Sequence, residues 1–229
     1  MALFDLFKQY PVRVRSLTRQ GDFCQLRLSY PEELVWEAGA YARFVLPDAK
    51  PSRETERALT LATTPEEGEI LLIFKDGPYA SPYKKALGKI QEGQVLTLRY
   101  LYVNTKIQDP EKSQVFFVSD LGIAALRPLL LSLLKEGGSK IAIYHLHRDC
   151  LVFDDELSAL SHQAQFTYQT LEGEEEAQTA LEEAVSHFGD QAVYYLLGVP
   201  SHVRSWAKHL KGQGISRKNI KREPFTGLN

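Results

Sequence analysis

Between residues 10 and 102, short runs rich in Val, Leu, Tyr, Phe and Thr recur between Gly, Pro and acidic breaks. Runs of this length and composition read as strands of an antiparallel barrel or sandwich. About six are present, at 11–18, 23–30, 41–47, 57–63, 69–75 and 94–102. Turn signals separate them at Gly21-Asp22, Glu37-Ala38-Gly39, Glu66-Glu67-Gly68 and Glu92-Gly93. A single helical candidate interrupts the series over 81–87, where Ser81 can cap and Pro82 occupies the first helical position. After the polar connector Asn104 to Ser113 the period changes. Strands at 115–118, 140–146, 165–170 and 192–197 alternate with helices at 123–135, 153–160, 174–188 and 200–211, and a last strand covers 219–225. Such alternation predicts a parallel sheet with helices on both faces, whose ligands sit at the carboxyl ends of the strands.

The stretch Arg57-Ala58-Leu59-Thr60-Leu61-Ala62-Thr63 sets a cation and two hydroxyls among small apolar side chains. A planar, phosphorylated cofactor calls for that mixture: Arg57 as a permanently charged fork for phosphate, Thr60 as a hydrogen-bonding group for a ring lying against Leu59. Alternating Thr and aliphatic residues also describe an ordinary half-buried strand. Asp76-Gly77-Pro78-Tyr79-Ala80-Ser81 leads into the candidate helix, where backbone N–H groups, Gly77 and the Ser81 hydroxyl suit an anion that Arg57 could also reach. A capped surface turn accounts for the same residues. In the second half, Ser119-Asp120-Leu121-Gly122-Ile123-Ala124 carries one glycine to admit a pyrophosphate, and Leu197-Gly198-Val199-Pro200-Ser201 carries Gly198 to admit a flat ring. Plain strand-to-helix turns explain both.

At 229 residues the chain has room for two domains of about a hundred residues each. Its formal charge of -2 and its lack of a basic stripe argue against nucleic acid as the main partner. Cys24 and Cys150, far apart, make neither a disulfide framework nor a cysteine-ligated cluster, which fits a reducing cytoplasm. Met1 to Lys8 is apolar but carries Asp5 and lacks the core of a signal peptide. The cluster Leu129 to Leu134 falls well short of the roughly 20 residues that cross a bilayer, so a soluble protein is expected. His145 and His147 alternate on a strand without a partner at ligand spacing and read as structural rather than metal-binding. Glu172 to Glu176 reads as the acidic start of a helix.

In order and spacing these landmarks resemble the ferredoxin-NADP reductase superfamily, especially its compact bacterial members. Gly39-Ala40-Tyr41 is similar to the family's Gly-Gln-Tyr, Arg57 to Thr60 to its Arg-x-Tyr-Ser/Thr, and Phe74-Lys75-Asp76-Gly77-Pro78-Tyr79-Ala80-Ser81 to its second flavin-binding stretch. Gly122-Ile123-Ala124 resembles the end of Gly-Gly-Thr-Gly-Ile-Ala-Pro, and Arg148 through Asp155-Glu156-Leu157 resembles its Arg-(x)n-Asp/Glu-Glu-Leu segment. Leu197-Gly198-Val199-Pro200 stands where Cys-Gly-Pro-Pro is usual, and Ile220 to Phe225 is similar to the terminal Ile-x-x-Glu-x-Phe.

The resemblance implies two domains: an N-terminal flavin-binding, six-stranded antiparallel β-barrel over 1–107 and a C-terminal NAD(P)-binding α/β domain with a five-stranded parallel sheet over 113–229. It implies FAD, with FMN the lesser alternative, and NAD(P)H as co-substrate whose hydride passes to the flavin. The acceptor would be ferredoxin, flavodoxin, free flavin or a ferric complex, and the protein a monomer or homodimer. By carry-over Arg57 pairs with flavin phosphate, Thr60 meets the ring's reactive nitrogen, and Gly77, Pro78, Tyr79 and Ser81 hold the pyrophosphate, beside Ala58, Leu59, Thr63, Phe74 and Lys75. Gly122, Ile123, Gly198 and Pro200 line the nicotinamide side, Arg148 is placed for a 2′-phosphate though Asp149 opposes it, and Glu223 and Phe225 lie near the flavin's other face. Thr60 and Glu223 are the candidate catalytic residues. There are departures. Leu59 replaces a stacking aromatic, giving up about 1 kcal/mol. Ser119, Asp120 and Leu121 replace Gly-Gly-Thr, Leu197 replaces a cysteine, and Pro128 falls inside the expected helix unless that helix starts late. They keep two alternatives open: a flavin-binding redox-sensing or partner-binding module without nucleotide-driven reduction, and, from Leu59 and Ala80, a protein without flavin.

Overall fold

In the computed structural model, which describes residues 8–147, 152–163 and 165–225, the strand-like runs of the first half form β1 (Gln9–Gln20), β2 (Phe23–Ser29), β3 (Ala40–Val45), β4 (Glu56–Thr60), β5 (Ile70–Lys75) and β6 (Val95–Val103). They pair antiparallel in the order β4-β3-β6-β1-β2-β5, a six-stranded half-barrel. Alternation decides its inside: Val12 and Val14 on β1, Leu26 and Leu28 on β2, Ala42 and Phe44 on β3, and Leu96 and Leu98 on β6 all join one buried core. The expected strand 57–63 ends at Thr60 because its last residues change partner. Leu61 N–H donates to Ala40 O (3.0 Å) and Ala62 N–H to Leu71 O (2.8 Å), so this segment reaches the edge strand β5 at the opposite end of the sheet order. The short helix α1 (Pro82–Leu87) follows β5, capped by Ser81 and anchored in the core by Tyr83 and Leu87.

The chain divides into two compact units at Lys106–Ile107. In the second, β7 (Ser113–Ser119), β8 (Ile141–Leu146), β9 (Phe166–Leu171), β10 (Ala192–Gly198) and β11 (Ile220–Pro224) form a five-stranded sheet, order β11-β10-β7-β8-β9, every pair parallel. The helices α2 (Ile123–Glu136), α3 (Asp154–Leu160), α4 (Glu174–Phe188) and α5 (Pro200–Gly212) connect them. Every residue of β8 and of β10 is buried, as expected of strands covered on both faces. The strand order reverses between β7 and β10, and the carboxyl ends of strands at such a reversal are where sheets of this kind commonly take ligands. Pro128 lies inside α2, which begins at Ile123 and not later. A 3₁₀ turn at Asp120–Gly122 leads directly into that helix. Among the described residues no helix is long and apolar enough to cross a membrane.

Closure of the barrel rests partly on Thr63, which is buried with its Oγ1 accepting from Leu71 N–H (3.2 Å) and its carbonyl accepting from Trp36 Nε1 (2.9 Å). Thr63→Val keeps the volume but strands the Leu71 donor, and is expected to cost about 1–3 kcal/mol. Urea unfolding checks this: the midpoint falls, whereas an unchanged midpoint would remove the bond from the account of closure.

Candidate functional site

Arg57 leaves the edge strand β4 half-buried beside α1. Its guanidinium lies over the Tyr83 ring, 5.8 Å from the centroid, and donates to the backbone carbonyls of Glu56 (2.8 Å) and Arg53. Tyr83 is fixed in turn, its buried hydroxyl donating to Phe44 O (2.9 Å), and Phe44 is the register partner of Arg57 on β3. Burial pushes the Tyr83 phenol well above its ordinary range, so it stays neutral under the cation. No carboxylate among the described residues pairs with Arg57; its neighbours are neutral acceptors and a π-face. The arrangement therefore presents an oriented, uncompensated cation at the start of α1.

Register distributes the rest of β4. Leu59 pairs with Ala42 and packs against the barrel core with Arg57 on the same side; Ala58, exposed, and Thr60, half-buried, pair with Arg43 and Tyr41 on the other. A planar group touching both Leu59 and Thr60 has to lie across the end of the strand, where Thr60 is its last residue. Thr63 is engaged in barrel closure. Phe74 is wholly buried, and Lys75 places its ammonium over the Phe23 ring at 4.5 Å. In the following loop Gly77 is pressed against the Asp22 carboxylate, which leaves no room for a Cβ. Asp76 is bound to Arg19 at 2.5 Å. Pro78 is exposed, Tyr79 is 92% exposed, and Ser81 Oγ accepts from Lys84 N–H at 3.4 Å. Thus Arg57, Tyr83 and the loop before α1 come together, with a carboxylate on either side of Gly77.

The candidates of the α/β unit gather at the carboxyl ends of β7, β10 and β11. Gly198 has φ +127, and a Cβ there would run into the backbone and hydroxyl of Ser119. A Cβ on Gly122 would stand 2.6 Å from Leu197 O. Both glycines serve close backbone approach, and the group that approaches is the neighbouring connection. Ser119 Oγ completes the junction by accepting from Val199 N–H (2.9 Å). Ile123 is buried at the start of α2, and Pro200 is the first residue of α5. Glu223, buried, is the register partner of Leu197, and Phe225 N–H donates to Gly198 O (2.8 Å). Arg148 lies outside the described residues.

Several functional contributors carried no sequence signal. Tyr83 seats Arg57, Ser119 ties two connections together, and a third group surrounds His145. That imidazole, 1% exposed, faces the Tyr168 hydroxyl through Nδ1 (3.4 Å), and the hydroxyl donates to Asp154 Oδ1 (3.0 Å). Asp120, a non-glycine residue at φ 53, follows the neighbouring strand β7. Burial, with the His147 ring 6.1 Å away, holds His145 down at about 4, against the opposing pull of Asp120 and Asp154. Only the alternation of His145 and His147 was visible beforehand.

No family model and no curated protein matches the chain. Solved structures do. The chain is similar to the Amycolatopsis cytochrome P450 reductase, with 19% identity, TM-score 0.78 and coverage of 97% of this chain and 71% of that one. It is also similar to a ferredoxin-NADP+ reductase of Plasmodium falciparum solved with 2′P-AMP, at 11% identity and TM-score 0.82 over 98% of this chain and 100% of that one. A siderophore-interacting protein of Acinetobacter baumannii gives 15% identity and TM-score 0.73 over 94% and 91%. At these identities the likeness shows a shared fold.

The lowered His145 value makes stability depend on acid. The unfolded chain takes up this proton below the ordinary value of 6.5, and the folded chain only near 4. The contribution is therefore complete above pH 6.5 and is lost as pH falls towards 4, by roughly 3 kcal/mol. Urea unfolding of the native protein and of His145→Gln between pH 7 and 4.5 checks it: the difference in pH slope should belong to His145, and parallel profiles would contradict it.

Proposed function

We propose that the protein is a flavoprotein oxidoreductase that binds FAD on its barrel unit, takes hydride from NAD(P)H bound at the α/β unit, and passes electrons to a small acceptor. The acceptor class is ferredoxin, flavodoxin, free flavin or a ferric complex, and the two widely separated cysteines suit a reducing cytoplasm. The observation that carries the reading is Arg57. A half-buried guanidinium with, among the described residues, carbonyls and an aromatic ring around it is suited to an anion, and the FAD pyrophosphate is such an anion. The surrounding residues fit the rest of the cofactor: Leu59 offers an apolar side, Thr60 a hydroxyl at the strand end, Ser81 a capping hydroxyl, and Tyr79 a freely exposed ring. The Asp22 carboxylate against Gly77 weighs against a compact dianion there, which favours FAD over FMN.

FAD, when bound, supplies the redox chemistry, accepting two electrons from the nicotinamide and releasing them one or two at a time. The chain's own part is to hold and orient. Arg57 would neutralise phosphate charge, the Thr60 hydroxyl would be offered to the ring, and Leu59 would exclude water from one side. On the α/β unit, Gly122, Ile123, Gly198 and Pro200 shape the crevice that would receive the nicotinamide nucleotide, with Glu223 and Phe225 closing one side and Arg148 assigned to the ribose phosphate. The 2′P-AMP of the Plasmodium reductase is in keeping with a nucleotide at such a unit. A second reading, a flavin-binding redox sensor without nucleotide-driven reduction, is favoured by one observation. The junction there is partly filled from within by Ser119, Leu197 and Gly198.

The visible spectrum of the purified protein, taken anaerobically before and after NADH or NADPH, separates these readings. A yellow protein bleached by either nucleotide is expected. Yellow colour persisting in both supports the sensor, and a colourless protein that takes up neither FAD nor FMN defeats both. In Arg57→Ala, flavin retention should weaken about tenfold to a hundredfold through loss of a charge-assisted contact; unchanged retention would refute the phosphate role.

A further inference from the structure

Arg19 stands one residue before the end of β1, and its guanidinium reaches out of the β1–β2 hairpin to two groups of another segment. Nη1 donates to Asp76 Oδ2 (2.5 Å), and Nη2 donates to the carbonyl of Gly88. Asp76 opens the loop after β5 and Gly88 caps the far end of α1, so one side chain ties the two ends of the loop and helix together. The hairpin turn joins the same place: Asp22 O accepts from Asp76 N–H (3.0 Å), and the Asp22 carboxylate packs on Gly77. A Cβ on Gly88 would strike the Asp76 carboxylate, so the fit admits only glycine there.

The direction of the Asp76 side chain is the point of interest. Its carboxylate is 11% exposed and turned to Gly88, at the opposite end of α1 from Ser81. A carboxylate drawn out of water against the last carbonyls of a helix is stable only with a cation beside it. Lys75, next in the chain, is turned to the Phe23 ring, and the pairing is made by Arg19. Once released, the Asp76 carboxylate would lie one residue from the turn that Ala80 N–H closes on Gly77 O (2.9 Å).

We propose that Arg19 is a positioning residue for the flavin phosphates: by pinning Asp76 against Gly88 it holds the loop over 76–81 in shape and keeps a carboxylate out of the turn that receives the anion. Arg19 does not itself meet the cofactor. Its link to flavin rests on the function proposed above, while its hold on the loop stands independently of it.

A cycle between Arg19→Gln and Asp76→Asn tests this, read by titrating the full chain, freed of flavin, with FAD and with riboflavin, which has the ring but no phosphate. R19Q should weaken FAD about tenfold and leave riboflavin within about threefold, because the released carboxylate opposes phosphate and not the ring. R19Q/D76N, with no carboxylate left to release, should return to within about threefold of the native FAD affinity, and R19K, which keeps the charge, should stay there too. Equal weakening of FAD and riboflavin, no weakening of either, or no recovery in the double variant overturns the proposal. Should R19Q fail to fold alone, recovery of folding by D76N supports it and lack of recovery overturns it. The second readout is amide hydrogen exchange, which R19Q should speed about tenfold at Asp76 and Ala80 with Leu26 and Leu28 in β2 unaffected. Unchanged exchange at the loop overturns the hold. If the native chain takes up neither FAD nor riboflavin, the functional reading fails, and the exchange measurement still decides the hold on the loop.

Discussion

A guanidinium held rigidly where, among the described residues, no carboxylate answers it is the feature on which the barrel unit turns. Arg57 is fixed from three directions: by two backbone carbonyls, by the Tyr83 ring and by its place on an edge strand. Tyr83 is fixed by Phe44, and Phe44 by the barrel core. The support therefore runs from the most buried layer of the half-barrel to one exposed charge. A cation so oriented has already lost its side-chain entropy, which lowers the cost of binding an anion. The six-stranded curl, its closure through Thr63 and the short α1 all serve to place that one charge.

The α/β unit works by a different constraint. Its strand order creates a crevice between β7 and β10, but the two connections there are packed so tightly that Gly122 and Gly198 are required by each other's backbone. A ligand has to be read by what remains accessible around that junction: the ends of β10 and β11, Pro200 and Phe225. The strain at Asp120 belongs to this junction, and its persistence requires neighbours that hold it. Here a departure from a glycine-rich turn did not remove the turn.

What the sequence disclosed follows from range. Period-two runs and their change to strand-helix alternation are local patterns, and they yielded both sheets and the position of Arg57 to Thr60 on a strand. The defection of Leu61 to Thr63 from β4 was not visible, because it depends on Ala40 and Leu71, residues brought near only by the curl of the sheet. Thr63 illustrates the consequence: its hydroxyl looked available for a ligand in sequence, and in the fold it accepts from a backbone amide. Likewise Gly77 was legible as a point of close approach, but not that Asp22 would be what approaches. His145, Tyr168 and Asp154 carry no mutual spacing rule, since one lies on β8, one on β9 and one at the start of α3.

These two units place unequal demands on their ligands. On the barrel side the positive charge is formed before any cofactor arrives, so a flavin there meets a preorganised site even though Leu59 stacks less well than an aromatic ring. On the nucleotide side the junction is narrowed by its own backbone, with Asp120 in the turn beside it. Under the proposed function, preorganisation on one side and narrowing on the other would hold flavin more tightly than nicotinamide nucleotide. An enzyme built so would keep its flavin through purification and exchange its nucleotide quickly, which is the order of affinities that a resident cofactor and a co-substrate require.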